Sequence, residues 1–179
     1  MRIVAGRWRG RPLVAPKGDA TRPTADRTRE ALFSMLASRL GSFDGLAVAD
    51  LFAGSGALGL EALSRGAGSC LFVEQDRAAL DALRTNIAKL DATGADIRPQ
   101  SVLALGPARG ALDLVMMDPP YGTGAGSVAL DKLARLGWIG PATWVSIETA
   151  RNEAVVAPGF AIDVTRVHGK ARLTLLRTA

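Results

Sequence analysis

The sequence predicts an α/β fold in which helices cover both faces of a mostly parallel sheet. Short apolar runs alternate with helical segments from residue 46 onward, and this alternation is typical of strand–helix–strand units. The last two β-like runs, separated by a glycine, predict an antiparallel hairpin at one edge. A length of 179 residues with 48% hydrophobic residues supplies enough apolar material for one core but not for two full domains.

Each element follows from a local pattern. Apolar runs bounded by glycine, proline or acidic residues predict seven strands, at residues 46–52, 69–74, around 97, 112–117, 143–148, 161–167 and 172–176. Apolar residues at three- and four-residue spacing predict helices at residues 27–40, 77–89 and 127–136, one that ends at 65, and a short one at 102–108. Two extended pieces at residues 3–5 and 11–15 predict a small N-terminal β-hairpin.

Positive charge is concentrated at the N-terminus. Residues 1–29 carry eight basic and two acidic side chains, whereas the rest of the chain carries 14 and 15, out of a net charge of +5. Because arginine pairs bidentately with phosphate, this asymmetry favours a polyanion partner over a merely solvated terminus. We expect residues 1–23 to form a basic hairpin arm and residues 24–179 to form the main domain. The candidate polyanion contacts are Arg2, Arg7, Trp8, Arg9, Arg11, Arg22 and Arg27; Trp8 either stacks on a base or packs against the domain.

Cysteine content and apolar run lengths exclude several classes of protein. Cys70 is the one cysteine, so an internal disulfide and a cysteine-based zinc site are excluded, and we expect no metal. Apolar stretches such as residues 114–117 are far shorter than a membrane span, and the residues after Met1 contain no apolar block of the signal-peptide type. We therefore expect a soluble cytoplasmic protein.

A glycine-rich turn after the first long strand predicts a nucleoside site. Residues 50–59 read Asp-Leu-Phe-Ala-Gly-Ser-Gly-Ala-Leu-Gly, and Glu74 ends the next strand. Glycines let the backbone approach a ligand closely, and the acid can accept both hydroxyls of a ribose. The three glycines also satisfy the dinucleotide fingerprint, so an NAD(P)-dependent oxidoreductase is one interpretation. Asp50 favours a cationic nucleoside such as S-adenosylmethionine over a pyrophosphate, unless its carboxylate caps the turn instead.

A second motif, Asp118-Pro119-Pro120-Tyr121, follows the apolar strand at residues 112–117. The exocyclic amine of a purine is a poor nucleophile because its lone pair is delocalised into the ring. A carboxylate and a proline-locked carbonyl can each accept one of its N–H groups and shift the nitrogen toward a more nucleophilic geometry. Tyr121 offers a flat face for a base turned out of its helix. The motif therefore predicts methyl transfer to a purine amine.

Together these motifs resemble those of the class I S-adenosylmethionine-dependent methyltransferases. More closely they resemble the RsmD family, which methylates N2 of one guanine, guanine 966, in bacterial 16S ribosomal RNA. The resemblance rests on segments 22–30, 50–59 and 118–121 and extends over almost the whole chain. It implies a Rossmann-like fold and S-adenosylmethionine as cofactor, with no metal. It also implies a monomer whose basic arm binds 16S ribosomal RNA in the assembled or assembling small subunit.

The resemblance also implies site residues. The catalytic set is Asp118, Pro119, Pro120 and Tyr121. The cofactor set is Asp50, Phe52, Ala53, Gly54, Ser55, Gly56, Glu74, Gln75, Ser101, Val102 and Thr24. These enzymes usually carry Asp or Asn after the third strand to bind the adenine amine, whereas residues 99–102 here read Pro-Gln-Ser-Val. That contact then falls to Gln100, to Ser101 or to the backbone.

Two further functions compete with guanine-N2 methylation. The segment 118–121 is shared with adenine-N6 methyltransferases acting on DNA or RNA, and the N-terminal segments favour the RsmD family over them. The oxidoreductase is disfavoured by Asp50 and by the second motif. His168, the one histidine, is expected at the surface in the terminal hairpin turn rather than in catalysis.

Overall fold

The computed structural model describes residues 1–16 and 23–179, and its centre is a single sheet. The strands are β1 Ala47–Leu51, β2 Ser69–Glu74, β3 Ala95–Pro99, β4 Leu114–Met117, β5 Trp144–Ala150, β6 Phe160–His168 and β7 Ala171–Thr178. The helices are α1 Pro23–Leu40, α2 Ala57–Ser64, α3 Arg77–Leu90 and α4 Ala125–Arg135. No helix among the described residues is both long enough and apolar enough to cross a membrane.

The sheet has seven strands in the order β3-β2-β1-β4-β5-β7-β6. Strands β1 to β5 are mutually parallel, and β7 pairs antiparallel with both β5 and β6. The predicted mostly parallel sheet with an antiparallel C-terminal hairpin is thus confirmed. The winding direction changes between β1 and β4, and open α/β sheets bind ligands at the carboxyl ends of strands at such a point.

Side chains alternate across the sheet into two apolar cores. On β4, Leu114 and Met116 face the core formed with α1, α2 and α3, whereas Val115 and Met117 face the core formed with α4. All four are at most 1% exposed, as expected for a strand covered on both faces. Asp50 in β1 stands on the same face as Val48, so it points toward the α1–α2 side of the sheet.

Three elements differ from the sequence prediction. Helix α1 begins at Pro23 rather than at residue 27, because proline is well tolerated at the first helical position. The helix predicted at 102–108 is only a 3₁₀ turn, Val102–Ala104, since Pro107 disfavours helical geometry at the preceding residue. The predicted N-terminal hairpin contains no regular strand; its two pieces are paired by an antiparallel bridge between Arg2 and Pro12 and by backbone hydrogen bonds such as Leu13 N–H to the Met1 carbonyl at 2.8 Å.

Candidate active site

A cavity of about 670 Å³ opens where the strand order reverses, at the carboxyl ends of β1 and β4. This volume lies within the range of roughly 300–1,000 Å³ that is usual for small-molecule sites. One wall is formed by the end of β1 and the turn after it, which contribute five members of the predicted cofactor set: Asp50, Phe52, Ala53, Gly54 and Ser55. Asp118 and Tyr121 of the predicted catalytic set lie on the same cavity. The two motifs therefore share one site.

The turn between β1 and α2 needs left-handed backbone at three positions. Phe52, Gly54 and Gly56 have φ values of 59°, 57° and 85°, and glycine adopts such values without steric cost. Gly56 is the residue before α2, and Ala57 lines the cavity, so the N-terminus of this helix lies at the site. A helix N-terminus favours negatively charged or electron-rich ligand atoms.

Asp50 is 1% exposed, and its two carboxyl oxygens have different environments. Oδ2 accepts a hydrogen bond from the Gly59 N–H at 2.9 Å, so part of the carboxyl caps the turn. Oδ1 receives no hydrogen bond from the described residues. Burial raises the pKa of Asp50 to about 8; the hydrogen bond from Gly59 opposes this shift and the charge of Glu74 adds to it. A buried, unpaired acceptor on a cavity wall fits a ligand that brings its own donor.

Glu74 ends β2 beside the glycine-rich turn but does not line the cavity. Its Oε1 accepts the Gly54 N–H at 2.8 Å, and its Oε2 accepts the Gln75 and Asp76 N–H groups at 2.8 and 2.9 Å. The carboxylate thus fixes the turn. Four other members of the predicted cofactor set also lie outside the cavity wall: Gly56, Gln75, Ser101 and Val102. Gln75 is exposed, and Ser101 accepts the Leu103 N–H at the start of the 3₁₀ turn.

The segment after β4 places one carboxyl and one aromatic ring on the cavity. The Asp118 N–H donates to the Leu51 carbonyl at 3.4 Å, which joins this segment to the end of β1. Pro119 is buried, whereas Pro120 and Tyr121 are exposed. The Asp118 side chain is open to the cavity, yet the surrounding walls displace bulk water. This desolvation, then the charge and a hydrogen bond of Glu148, and then the charge of Asp50, raise the pKa of Asp118 well above its usual value.

Glu148, near the end of β5, is a site residue that the sequence prediction missed. It lines the cavity, and the Tyr121 hydroxyl donates to its Oε2 at 2.7 Å. The signal available was an acid at the end of the predicted strand 143–148. From the sequence alone this acid could not be assigned to the site, because the pairing of β5 with β4 was not known. His168 also lines the cavity, with Nδ1 at 3.1 Å from the Thr28 hydroxyl, so it is half-buried at the site rather than remote from it.

The predicted RNA contacts divide into an exposed set and a buried ring. The exposed set in the described residues is Arg2, Arg7, Arg9, Arg11 and Arg27. The Trp8 ring is 8% exposed and belongs to the core with α1, α2 and α3, while the Arg7 guanidinium lies 4.2 Å from its centre. The structure thus favours packing over base stacking for Trp8. Arg22 lies outside the described residues; so does the Thr24 side chain, although Thr24 belongs to α1.

Buried polar side chains of α2 and α3 hold the N-terminal segment, residues 1–16, against the domain. Glu61 accepts the Val4 and Ala5 N–H groups at 2.9 and 3.0 Å. Ser64 accepts the Trp8 N–H at 3.0 Å. Asn86 accepts the Val14 N–H at 2.7 Å and donates to its carbonyl at 2.9 Å. As a consequence, three residues of this segment line the cavity: Met1, Ala15 and Pro16.

The sheet order, with one antiparallel strand inserted beside the edge and the site at the β1–β4 switch point, is that of a Rossmann-like class I methyltransferase. A family model described as "Conserved hypothetical protein 95" matches residues 1–177. The ribosomal RNA small subunit methyltransferase D of Escherichia coli K12 is 38% identical over 150 residues, which are 83% of this chain and 74% of that protein. The enzyme of the same name from Haemophilus influenzae is 34% identical, over 88% of this chain and 83% of that protein.

A solved structure agrees. The candidate methyltransferase yhhF from Escherichia coli superposes with a TM-score of 0.84 at 34% identity, covering 99% of this chain and 97% of that one. The chain belongs to this family, the RsmD family of methyltransferases.

Proposed function

We propose that this protein transfers the methyl group of S-adenosylmethionine to N2 of a single guanine, the family's guanine 966, in 16S ribosomal RNA. The observation that carries the proposal is that Asp118 and the glycine-rich turn line one cavity. A purine amine held by Asp118 would therefore lie next to a nucleoside held by the turn. The names of the curated relatives, ribosomal RNA small subunit methyltransferase D, support the RNA substrate.

The residues present fit S-adenosylmethionine. Asp50 offers a buried, unpaired oxygen to the ammonium group of the methionine moiety. Glu74 ends the adjacent strand outside the cavity wall, and it would bind the ribose hydroxyls through the lone pairs that its three backbone N–H bonds leave free. The acidic wall formed with Asp118 attracts a cation and would repel a pyrophosphate, which disfavours a nicotinamide dinucleotide. When bound, the cofactor supplies a methyl group already activated by a positively charged sulfur.

The chain's own residues then align the target. Asp118 accepts one N–H of the guanine amine, and the Pro119 carbonyl accepts the other. The buried Pro119 ring packs near Gly126, since a Cβ on that glycine would meet Pro119 at 3.2 Å, so the carbonyl is held in place. The half-exposed Tyr121 ring is fixed by its bond to Glu148 and offers a face to the base. Alignment of this kind can lower a barrier by roughly 7–11 kcal/mol.

Asp118 accepts an N–H group most strongly, and with both oxygens, when it is ionised. Its raised pKa keeps it protonated to a higher pH in the free protein, and a cation bound nearby lowers the pKa again. Binding of the cofactor would thus prepare Asp118 for the amine.

We further propose that residues 1–23 form an RNA-contacting arm, and residues 24–179 the methyltransferase domain. The substrate would be the assembled or assembling small subunit in the cytoplasm, met by a monomer. The exposed arginines of the N-terminal segment support this, because they form a basic surface beside the cavity rim.

Mapping of methylated nucleotides on small-subunit RNA tests the proposal. RNA from cells lacking the protein should carry one unmethylated guanine N2 that is methylated in the parent strain. The purified protein with S-adenosylmethionine should restore it, and the cofactor should raise Tm where NAD and NADP do not. Appearance of N6-methyladenine instead would favour the adenine alternative, and identical methylation maps from the two strains would refute the proposal.

A further inference from the structure

We infer that Glu148 accepts the N1–H of the target guanine and thereby selects guanine over adenine-like bases. The inference rests on the proposed function and adds to it a residue that determines specificity. It starts from the position of Glu148. Met117 at the end of β4 is the register partner of Ile147 in β5, so Asp118 and Glu148 both come one residue later on neighbouring parallel strands.

The two carboxyl groups therefore lie side by side at the same edge of the sheet, and both line the cavity. The Tyr121 hydroxyl, which follows Asp118 closely in sequence, donates to Glu148 at 2.7 Å and fixes one of its oxygens. The influence of the Glu148 charge on the pKa of Asp118 agrees with this proximity.

Glu148 has acceptor capacity to spare. A carboxylate has about four lone-pair positions; among the described residues Glu148 has hydrogen bonds with the Tyr121 hydroxyl and the Asp118 carboxyl and forms no ion pair. Independently, Asp50 on the same wall keeps one buried oxygen without a donor. This wall thus presents acceptors, and a ligand that fits it has to supply several donors at once.

Guanine supplies donors in the required arrangement. Its N1–H and its N2 amino group are adjacent on one edge, so Asp118 can accept from N2 while Glu148 accepts from N1. Adenine has an acceptor at N1 beside its amino group. Bound in the same pose, adenine would place its N1 lone pair against the Glu148 carboxylate. Neither N1 nor the facing carboxylate oxygen would then receive a hydrogen bond. Sites built to pair a particular hydrogen reject analogues that lack it, and one unpaired acceptor corresponds here to about 100-fold discrimination.

The test replaces the target guanosine in reconstituted small subunits with 2-aminopurine riboside, which keeps the 2-amino group but has an acceptor at N1. Wild-type protein should methylate guanine about 100-fold faster than 2-aminopurine. In Glu148→Gln, guanine methylation should fall by about 100-fold and the preference should shrink below about tenfold, because an amide can donate to the N1 acceptor. Glu30→Gln, at an exposed position of α1, is the matched control and should keep the wild-type ratio.

Two results would overturn the inference while leaving the proposed function intact. One is wild-type protein that methylates guanine and 2-aminopurine at equal rates, a measurement that depends on no variant. The other is Glu148→Gln that binds S-adenosylmethionine normally and keeps the full guanine preference. Failure of the wild-type protein to methylate guanine N2 at all would refute the proposed function, and the inference with it.

Discussion

Two buried acids in this molecule, Glu61 and Asp50, differ in how many hydrogen-bond donors surround them. Glu61, which is fully buried, accepts four hydrogen bonds: from the Val4 and Ala5 N–H groups and from the side chains of Arg29 and Arg65. Asp50 is buried to the same degree and accepts one, from Gly59. A buried carboxylate whose oxygens all accept hydrogen bonds stabilises the fold. A buried carboxylate with an unpaired oxygen at a cavity wall instead favours binding of a ligand that supplies the missing donor.

The largest effect on stability is expected from Glu61→Ala. The change leaves two backbone N–H groups without acceptors and removes the Glu61 partner of Arg29, which is 4% exposed. Loss of one member of a buried ion pair costs about 3–5 kcal/mol of the free energy of unfolding. Chemical denaturation measures it. Glu30→Ala, at an exposed position of α1, should stay within about 0.5 kcal/mol of wild type. A Glu61 variant as stable as this control would contradict the structural role of Glu61.

The reverse pattern is expected for Asp118→Ala. Methyl transfer should fall by roughly 100- to 1,000-fold because the acceptor for the target amine is lost. Tm should stay equal or rise, since a carboxyl that repels Glu148 and Asp50 is removed. Binding of S-adenosylmethionine, measured calorimetrically, should persist. Asp131→Ala, at an exposed site on α4, should match wild type in all three measurements. Wild-type methylation by the Asp118 variant would refute the assignment.

A smaller and pH-dependent effect is expected for Asp50→Asn. The folded-state pKa of about 8 lies above the ordinary aspartate pKa of 3.8, so folded protein binds an extra proton between these values. The stability that protonated Asp50 provides is therefore complete below pH 4 and is lost as pH rises toward 8. The asparagine variant lacks this loss and should gain about 2 kcal/mol, or roughly 4–8 °C in Tm, relative to wild type as the pH rises from about 5 to about 6.5. Asp81→Asn on the exposed face of α3 should show no such trend.

The sequence predicted those parts of the fold and site that depend on local patterns. All seven strands were anticipated, because the residues of a strand and of its boundaries are contiguous in sequence. The same holds for the glycine-rich turn and for Asp118, each of which directly follows a strand and so had to lie at the carboxyl edge of the sheet.

Long-range pairing explains what was missed. Glu148 becomes a site residue because β5 lies beside β4 and Tyr121 folds back to it across 27 positions. Glu61 and Asn86 hold the N-terminal segment through contacts 57 and 72 positions apart. Nothing in the spacing of an isolated Glu or Asn on a helix distinguishes such a partner from a solvated residue.

The N-terminal segment also has a side that packs on the domain and a side that is exposed, and the smallest expected effect tests whether the exposed side binds RNA. One side of the segment is hydrogen-bonded to α2 through Glu61, while Arg7, Arg9 and Arg11 are exposed. Each arginine that neutralises a phosphate should contribute about 0.7–0.9 to the slope of log affinity against log salt, because it releases condensed counterions. Replacing all three with alanine should lower the slope for small-subunit RNA by roughly 2–3 without shifting Tm by more than a few degrees. The exposed set Arg84, Arg109 and Arg135 gives a control of equal charge on other elements. Equal slopes for the two triple variants would mean that the N-terminal arginines contact the RNA no more than arginines elsewhere on the surface. The N-terminal segment would then have only a structural role in the core.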